Sequence, residues 1–330
     1  MAPRTLVVLW RITERCDLAC PFCAYDRSLS RARRSVSAGS VLAFGEVLGS
    51  YARETGARVL VSWLGGEPLT WPPLPHVSQA LCEQHDLALS LTTNGTRLNQ
   101  PRMRALLLAH YPEITISVDG LGHVHDALRG RDGLFEHLAR SVRQLAHEKR
   151  TAGRGTLLRA NVVIMRRNVA EFANLCGALA DWGIEEITFN QLGGNDRPEF
   201  FPENRLSPVQ VDQLALELPL LRTTLAQQGV TLRGDDAYLG RIRASSTGLR
   251  LSPDDCAPGR QFLFIDEQCR VAPCGFTAME YAVPLSQITT VDDIIGLPVH
   301  YADARRSTRA PACADCHSTQ HHGKFAVATP

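Results

Sequence analysis

The chain reads as an α/β protein: a partial (β/α)6 parallel barrel followed by a small C-terminal cysteine-rich domain containing a β-hairpin. Three observations point there. Apolar, β-rich runs alternate with longer helical patterns about six times through roughly the first two-thirds of the chain. The stretches that leave these strands are polar and turn-forming, as in Gly65-Gly66-Glu67-Pro68, Thr92-Thr93-Asn94-Gly95 and Asp119-Gly120. The rhythm then stops, and five of the ten cysteines fall from Cys256 onward.

Taken in order, Leu6 to Ile12 is a strand that runs directly into a cysteine loop. Val41 to Tyr51 has helical spacing, and Arg58 to Trp63 is a strand ending at the glycine pair. His76 to His85 is helical, Ala88 to Leu91 a strand, Arg102 to His110 a helix and Ile114 to Val118 a strand. Gly133 to Lys149 is a strongly amphipathic helix, with Leu134, Leu138, Val142 and Leu145 on one face. Leu157 to Met165 is a strand, Val169 to Trp182 a helix and Ile187 to Leu192 the sixth strand. A long loop from Gly193 to Pro208 precedes a helix from Pro208 to Gln228. Phe262 to Ile265 and Arg270 to Ala272 form the predicted hairpin. The boundary falls between Gly234 and Pro253, giving units of 1–240 and 241–330. In such a parallel barrel, chemistry collects at the carboxyl ends of the strands.

Composition narrows the function. With 44% hydrophobic and 21% charged residues the chain is globular, and a net charge of +1 gives no sequence-wide nucleic-acid footprint. A small polar molecule or a peptide is the expected partner. The opening run M-A-P-R-T-L-V-V-L-W is too short for a membrane span or a secretory signal, which leads to the expectation of a cytoplasmic protein without a membrane partner. In that reducing setting ten cysteines suit metal, cluster or catalytic roles better than disulfides.

The stretch C-D-L-A-C-P-F-C places Cys16, Cys20 and Cys23 just after the first strand. Three thiolates at this spacing suit a cubane cluster with one open iron better than the paired spacing of zinc sites. Together with Gly65-Gly66-Glu67-Pro68 at the second strand end, the motif resembles the radical S-adenosylmethionine (SAM) superfamily. The resemblance implies that Cys16, Cys20 and Cys23 ligate a 4Fe-4S cluster whose unique iron chelates SAM. It also implies that Phe22 packs on adenine, that Gly65 and Gly66 allow close backbone approach, and that Glu67 receives the methionyl ammonium. Asn94, Ser117 and Asp119 are candidate contacts for the methionyl or ribose groups, against a plain reading as turn residues. An electron donor such as flavodoxin or ferredoxin is a further implied partner.

Cys256, Cys274, Cys313 and Cys316 frame the tail, and four thiolates from distant segments suit either structural zinc or a closed cubane. In the context of the first motif they resemble the Twitch domain, a shortened SPASM domain, which implies one auxiliary 4Fe-4S cluster. Cys82 and Cys176 sit in helical patterns and read as core thiols. Cys269, in the predicted hairpin turn, is a candidate hydrogen donor, and Asn190 and Asp196 are candidate substrate contacts. Twitch relatives suggest hydrogen abstraction from a carbinol carbon of an aminocyclitol or aminoglycoside-like sugar, most simply dehydrogenation to a ketone with the auxiliary cluster as electron acceptor. Epimerisation at the same carbon with a cysteine donor, and maturation of a ribosomal peptide, are the alternatives.

Overall fold

The computed structural model describes residues 5–194, 196–253, 256–319, 321–322 and 324–325. Its strands are β1 (Thr5–Thr13), β2 (Arg58–Gly65), β3 (Ala88–Thr93), β4 (Glu113–Ser117), β5 (Leu157–Ile164), β6 (Glu186–Gln191), β7 (Thr231–Leu232), β8 (Phe262–Ile265), β9 (Arg270–Ala272) and β10 (Val283–Pro284). The helices are α1 (Ala38–Thr55), α2 (Leu74–His85), α3 (Pro101–His110), α4 (Gly122–Arg129), α5 (Leu134–Thr151), α6 (Phe172–Asp181), α7 (Phe201–Asn204), α8 (Pro208–Gln227), α9 (Asp236–Thr247), α10 (Ala278–Tyr281), α11 (Val291–Ser307) and α12 (Pro311–Ala314).

All ten strands form one sheet in the order β10-β9-β8-β1-β2-β3-β4-β5-β6-β7. From β8 to β7 every pairing is parallel, while β8-β9 and β9-β10 are antiparallel. The sheet has two ends and does not close, as a partial barrel requires. Because β1 to β6 are neighbours in chain order, right-handed crossovers put the intervening helices on one face and leave the other as a lumen. Alternation along each strand then sorts the side chains. Trp10 is buried against Phe44 of α1, their rings 5.8 Å apart, with Val8 and Ile12 on the same face. Val7, Leu9 and Arg11 therefore face inward. In β5, Leu158, Ala160, Val162 and Ile164 pack outward, leaving Arg159, Asn161 and Val163 on the lumen side.

Local chemistry sets the ends. Ser37 caps α1 through Ser40 N, and Gly56, at φ 66°, ends it. Capping boxes at Ser207 and Thr290 start α8 and α11. The six predicted β/α units are all present. The tail hairpin is also present, but β8 is a parallel neighbour of β1, so the hairpin extends the barrel sheet. Helices α4, α9 and α11 were not legible in the hydrophobic pattern. Among the described residues no helix is long and apolar enough to cross a membrane.

Candidate active site

The cysteine loop leaves β1 at the sheet's carboxyl edge and is fastened from several sides. Gly66 N donates to Thr13 O and Glu67 N to Arg15 O, both at 2.7 Å. A Cβ on Gly65 would lie 2.4 Å from Thr13 O, and one on Gly66 would lie 2.3 Å from Arg15 O. The close approach that requires this glycine pair is to the cysteine loop's own backbone. On the other side Ala19 N donates to Arg129 O at the end of α4, where Gly130, at φ 63°, leaves no room for a side chain against Ala19. Arg33 donates to the carbonyls of Glu14, Tyr25 and Asp26, and buried Glu14 accepts from Arg34 N, tying the returning strand of the loop down.

Cys16, Cys20 and Cys23 lie close enough to raise one another electrostatically, and burial is the largest influence on each, pushing Cys16 up to about 12 and Cys20 to about 11. Thiolates in such a place need positive charge. Arg129 provides one cation: it lowers both Cys20 and Cys23, and Cys20 Sγ lies 3.9 Å from Arg129 O. A thiophilic metal centre would provide the rest. The thiols converge without being fully drawn in, since no three candidate ligands are already placed around a metal position among the described residues. Such sites commonly complete themselves on metal binding. The donor set fits three irons of a cluster.

The expected SAM contacts surround this loop. Asn94 donates to Asp17 Oδ1 at 2.8 Å, and its Nδ2 is 3.8 Å from Cys16 Sγ; Thr96 completes the knot through Asp17 Oδ2. Phe22 packs beside Phe200 at 6.2 Å between ring centroids and under Arg129, whose Cζ is 5.7 Å away. Ser117 faces the lumen opposite Asn161 in the β4-β5 ladder. Asp119 is fully buried, accepting from Val163 N and pairing with Arg129 at 2.7 Å. Glu67 is also turned inward, receiving Leu69 N, Thr93 Oγ1 and Asn94 N. It thereby joins the second and third strand ends.

Burial holds Glu67 up at about 7 against an ordinary 4.5. Its protonated form is favoured on folding, so its contribution is full below pH 4.5 and is lost as pH rises through 7. Glu67→Gln is expected to remove this slope, narrowing wild type's advantage over the variant across that interval in urea denaturation. Equal slopes in the two proteins would assign the pH dependence elsewhere.

In the tail, Cys256, Cys274, Cys313 and Cys316 line one groove of about 850 Å³ together with Tyr281 and His321. The other three thiols all raise Cys316 electrostatically, after its burial. Cys269 is not brought into this groove. It occupies the β8-β9 turn at φ 58°, a left-handed conformation that favours glycine, and lines a separate groove of about 900 Å³ with Ser40, Phe44 and Val47 of α1. Asn190 does reach the lumen, donating to Asn161 Oδ1 and accepting from Tyr238 OH, both at 3.2 Å. Asp196 is exposed on the long loop, where its charge is felt by Cys23 and Tyr25. Cys176 is a core thiol as expected, and Cys82 is half-buried against the core.

Sequence reading missed Arg129 and Lys324. Arg129 closes the short α4, bracketed by Gly122 and Gly130, whose apolar face is too brief to stand out. Lys324 lies in a tail with no periodicity, yet its side chain enters the lumen.

Comparison with known proteins agrees with this geometry. Residues 10–173 match the Radical SAM superfamily model. Mycofactocin maturase MftC of Mycobacterium ulcerans is 24% identical over 314 residues, 94% of this chain and 80% of that protein. PqqA peptide cyclase of Xanthomonas campestris pv. campestris is 26% identical over 185 residues, 56% of this chain and 46% of that protein. The chain thus spans about half the length of some curated relatives it matches. Among solved structures, anSMEcpe with bound AdoMet and Cp18Cys peptide superposes with a TM-score of 0.68 at 16% identity, covering 98% of this chain and 88% of that one. That likeness establishes the fold. With the three converging thiols after β1, the glycine pair after β2 and the family match across both, the chain carries a radical SAM superfamily domain, whose cofactors are a 4Fe-4S cluster and SAM.

Proposed function

We propose that this radical SAM enzyme modifies a peptide held in the barrel lumen. The observation that carries the reading is the similarity to PqqA peptide cyclase, and the match to a maturase over 94% of this chain takes in much of the tail as well as the barrel. The Cp18Cys peptide bound together with AdoMet in anSMEcpe supports it. The expected aminocyclitol or aminoglycoside-like substrate draws no support from these relatives, and peptide maturation takes its place.

In this reading Cys16, Cys20 and Cys23 hold the first cluster, and Phe22, Asn94 and Ser117 border the SAM site. Gly65, Gly66, Glu67 and Asp119 shape its walls from behind. Cys256, Cys274, Cys313 and Cys316 hold one auxiliary 4Fe-4S cluster, and 241–330 is the unit that carries it. When bound and reduced, the first cluster and SAM supply a 5'-deoxyadenosyl radical able to take hydrogen from unactivated carbon. The chain's own residues fix which hydrogen is offered. Asn190, braced by Asn161 and Tyr238, presents polar edges to the substrate. Asp196 meets it at the loop near Cys23. Cys269, turned toward Ser40 and α1, suits a turn residue better than a hydrogen donor. Electrons arrive from a flavodoxin- or ferredoxin-type donor.

The test is anaerobic reconstitution followed by iron analysis and turnover. About eight irons per chain are expected, falling to about half when Cys313 and Cys316 are replaced by alanine. Deoxyadenosine should form in step with a two-hydrogen mass loss from a short peptide encoded beside the gene. Deoxyadenosine formed in step with oxidation of an aminocyclitol, with the peptide untouched, would restore the carbinol reading.

A further inference from the structure

Of the chain's 35 basic residues only two are lysines, Lys149 and Lys324. Lys149 pairs with Glu185 at 2.5 Å. Lys324 is buried at 7% exposure, with Nζ 2.9 Å from Asn161 Oδ1 in the lumen. The same oxygen receives Thr188 OH at 3.0 Å and Asn190 Nδ2 at 3.2 Å. Asn161 stands level with Ser117 on the neighbouring strand. The amine therefore lies just beneath the strand ends that border the cofactor site.

Its charged surroundings can be counted. Arg159 of β5 bridges Glu113 of β4 and Glu186 of β6, and Arg233, beyond β7, also pairs with Glu186. Two carboxylates and two guanidiniums balance. On the lysine's own segment His322 hydrogen-bonds to Cys316 O, and burial keeps it toward its neutral form. The Phe325 ring covers the amine from 5.1 Å. Among the buried arginines and lysines of the described residues, Arg104, Arg129, Arg159 and Arg241 each pair with a carboxylate and Lys324 does not. Burial and the nearby Arg159 bring it from 10.5 to about 7. A guanidinium would keep its proton in this place, whereas an amine can release it. An empty lumen then need not hold an uncompensated buried charge.

We propose that Lys324 anchors a carboxylate of the substrate in the lumen, taking up one proton from solvent as the anion arrives. The proposal rests on the lumen being the substrate site. No covalent bond changes: the neutral amine, a proton and a carboxylate become a buried ammonium-carboxylate pair beside Asn161. An arriving anion raises the amine's pKa, so affinity is greatest below the free amine's value. Above it, affinity should weaken about tenfold per pH unit until the bound form also releases its proton.

The reconstituted holoprotein, its lysines reductively methylated with 13C-formaldehyde, gives two lysine signals, with Lys324→Gln assigning one of them. The expected result is a Lys324 signal titrating within about one unit of pH 7, whose midpoint rises by about one unit or more with propionate or with N-acetylglutamic acid α-amide, and stays fixed with propionamide. A response to the glutamate derivative alone identifies a peptide side chain as the source, and a response to propionate alone identifies a free acid. Titration in the ordinary lysine range, a midpoint unmoved by both carboxylates, or an equal response to propionamide would overturn the proposal. Deoxyadenosine formation is measured separately: its absence would remove the radical reading without altering the titration.

Discussion

Gly66→Ala is expected to destabilise the chain by about 4 kcal/mol or more and to prevent iron from entering the first cluster site. The new methyl carbon would lie 2.3 Å from Arg15 O, 2.5 Å from Arg15 C and 2.9 Å from Glu14 O. These are backbone atoms, and none can swing aside as a side-chain tip would. They are also held in place by the Gly66-Thr13 and Glu67-Arg15 hydrogen bonds, so relief of the overlap must unfasten the cysteine loop from β2. Gly193→Ala is the control, because no atom lies within 4 Å of the methyl it would add, and its stability should stay within about 0.5 kcal/mol of wild type. Urea denaturation and iron content of both variants check the pair. A Gly66→Ala protein with native iron content would mean that the loop is not fastened as described.

Asp119→Ala is the second large effect. The carboxylate is fully buried, pairs with Arg129 and accepts from Val163 N. Its loss leaves a buried guanidinium without a partner, which costs about 3–5 kcal/mol. The double variant Asp119→Ala with Arg129→Met should recover much of that stability, since removing both charges also removes the unpaired one. It should not recover iron binding to the same degree, because Arg129 is the cation beside Cys20 and Cys23. Equal recovery of stability and iron content would confine Arg129 to a partner of Asp119. Denaturation curves and iron analysis on the three proteins separate these outcomes.

The parts of the fold that could be read ahead of the structure are those written in local periodicity. Strands such as Leu6 to Ile12 and the long amphipathic α5 announce themselves because burial on one face imposes a repeat of two or of about 3.6 residues. Helix α4 escapes that logic: it is eight residues long, begins at Gly122, is capped after Arg129 by Gly130, and is held by its contacts with the cysteine loop. Helices α9 and α11 lie where the α/β rhythm had stopped, and their buried faces are defined by distant elements: α9 packs on α8 and, through Tyr238, on Phe189 of β6, and α11 packs on α1 and α10. The hairpin was legible, but its place beside β1 was not, because parallel pairing across some 250 residues of chain leaves no local mark.

The site divides in the same way. Cys16, Cys20 and Cys23 with the glycine pair were sufficient to name the chemistry, since thiol spacing and a glycine forced by close backbone approach are properties of short segments. The sequence by itself thus determined the barrel class, the cluster motif and the set of thiols in the tail. Only the tertiary structure decided that Glu67 and Asp119 face inward, that Cys269 turns toward α1, and that Arg129 and Lys324 come to the loop and the lumen. The reason is physical: a side chain's charge state and partners depend on what folding brings against it from elsewhere in the chain, and burial acts on the assembled surroundings.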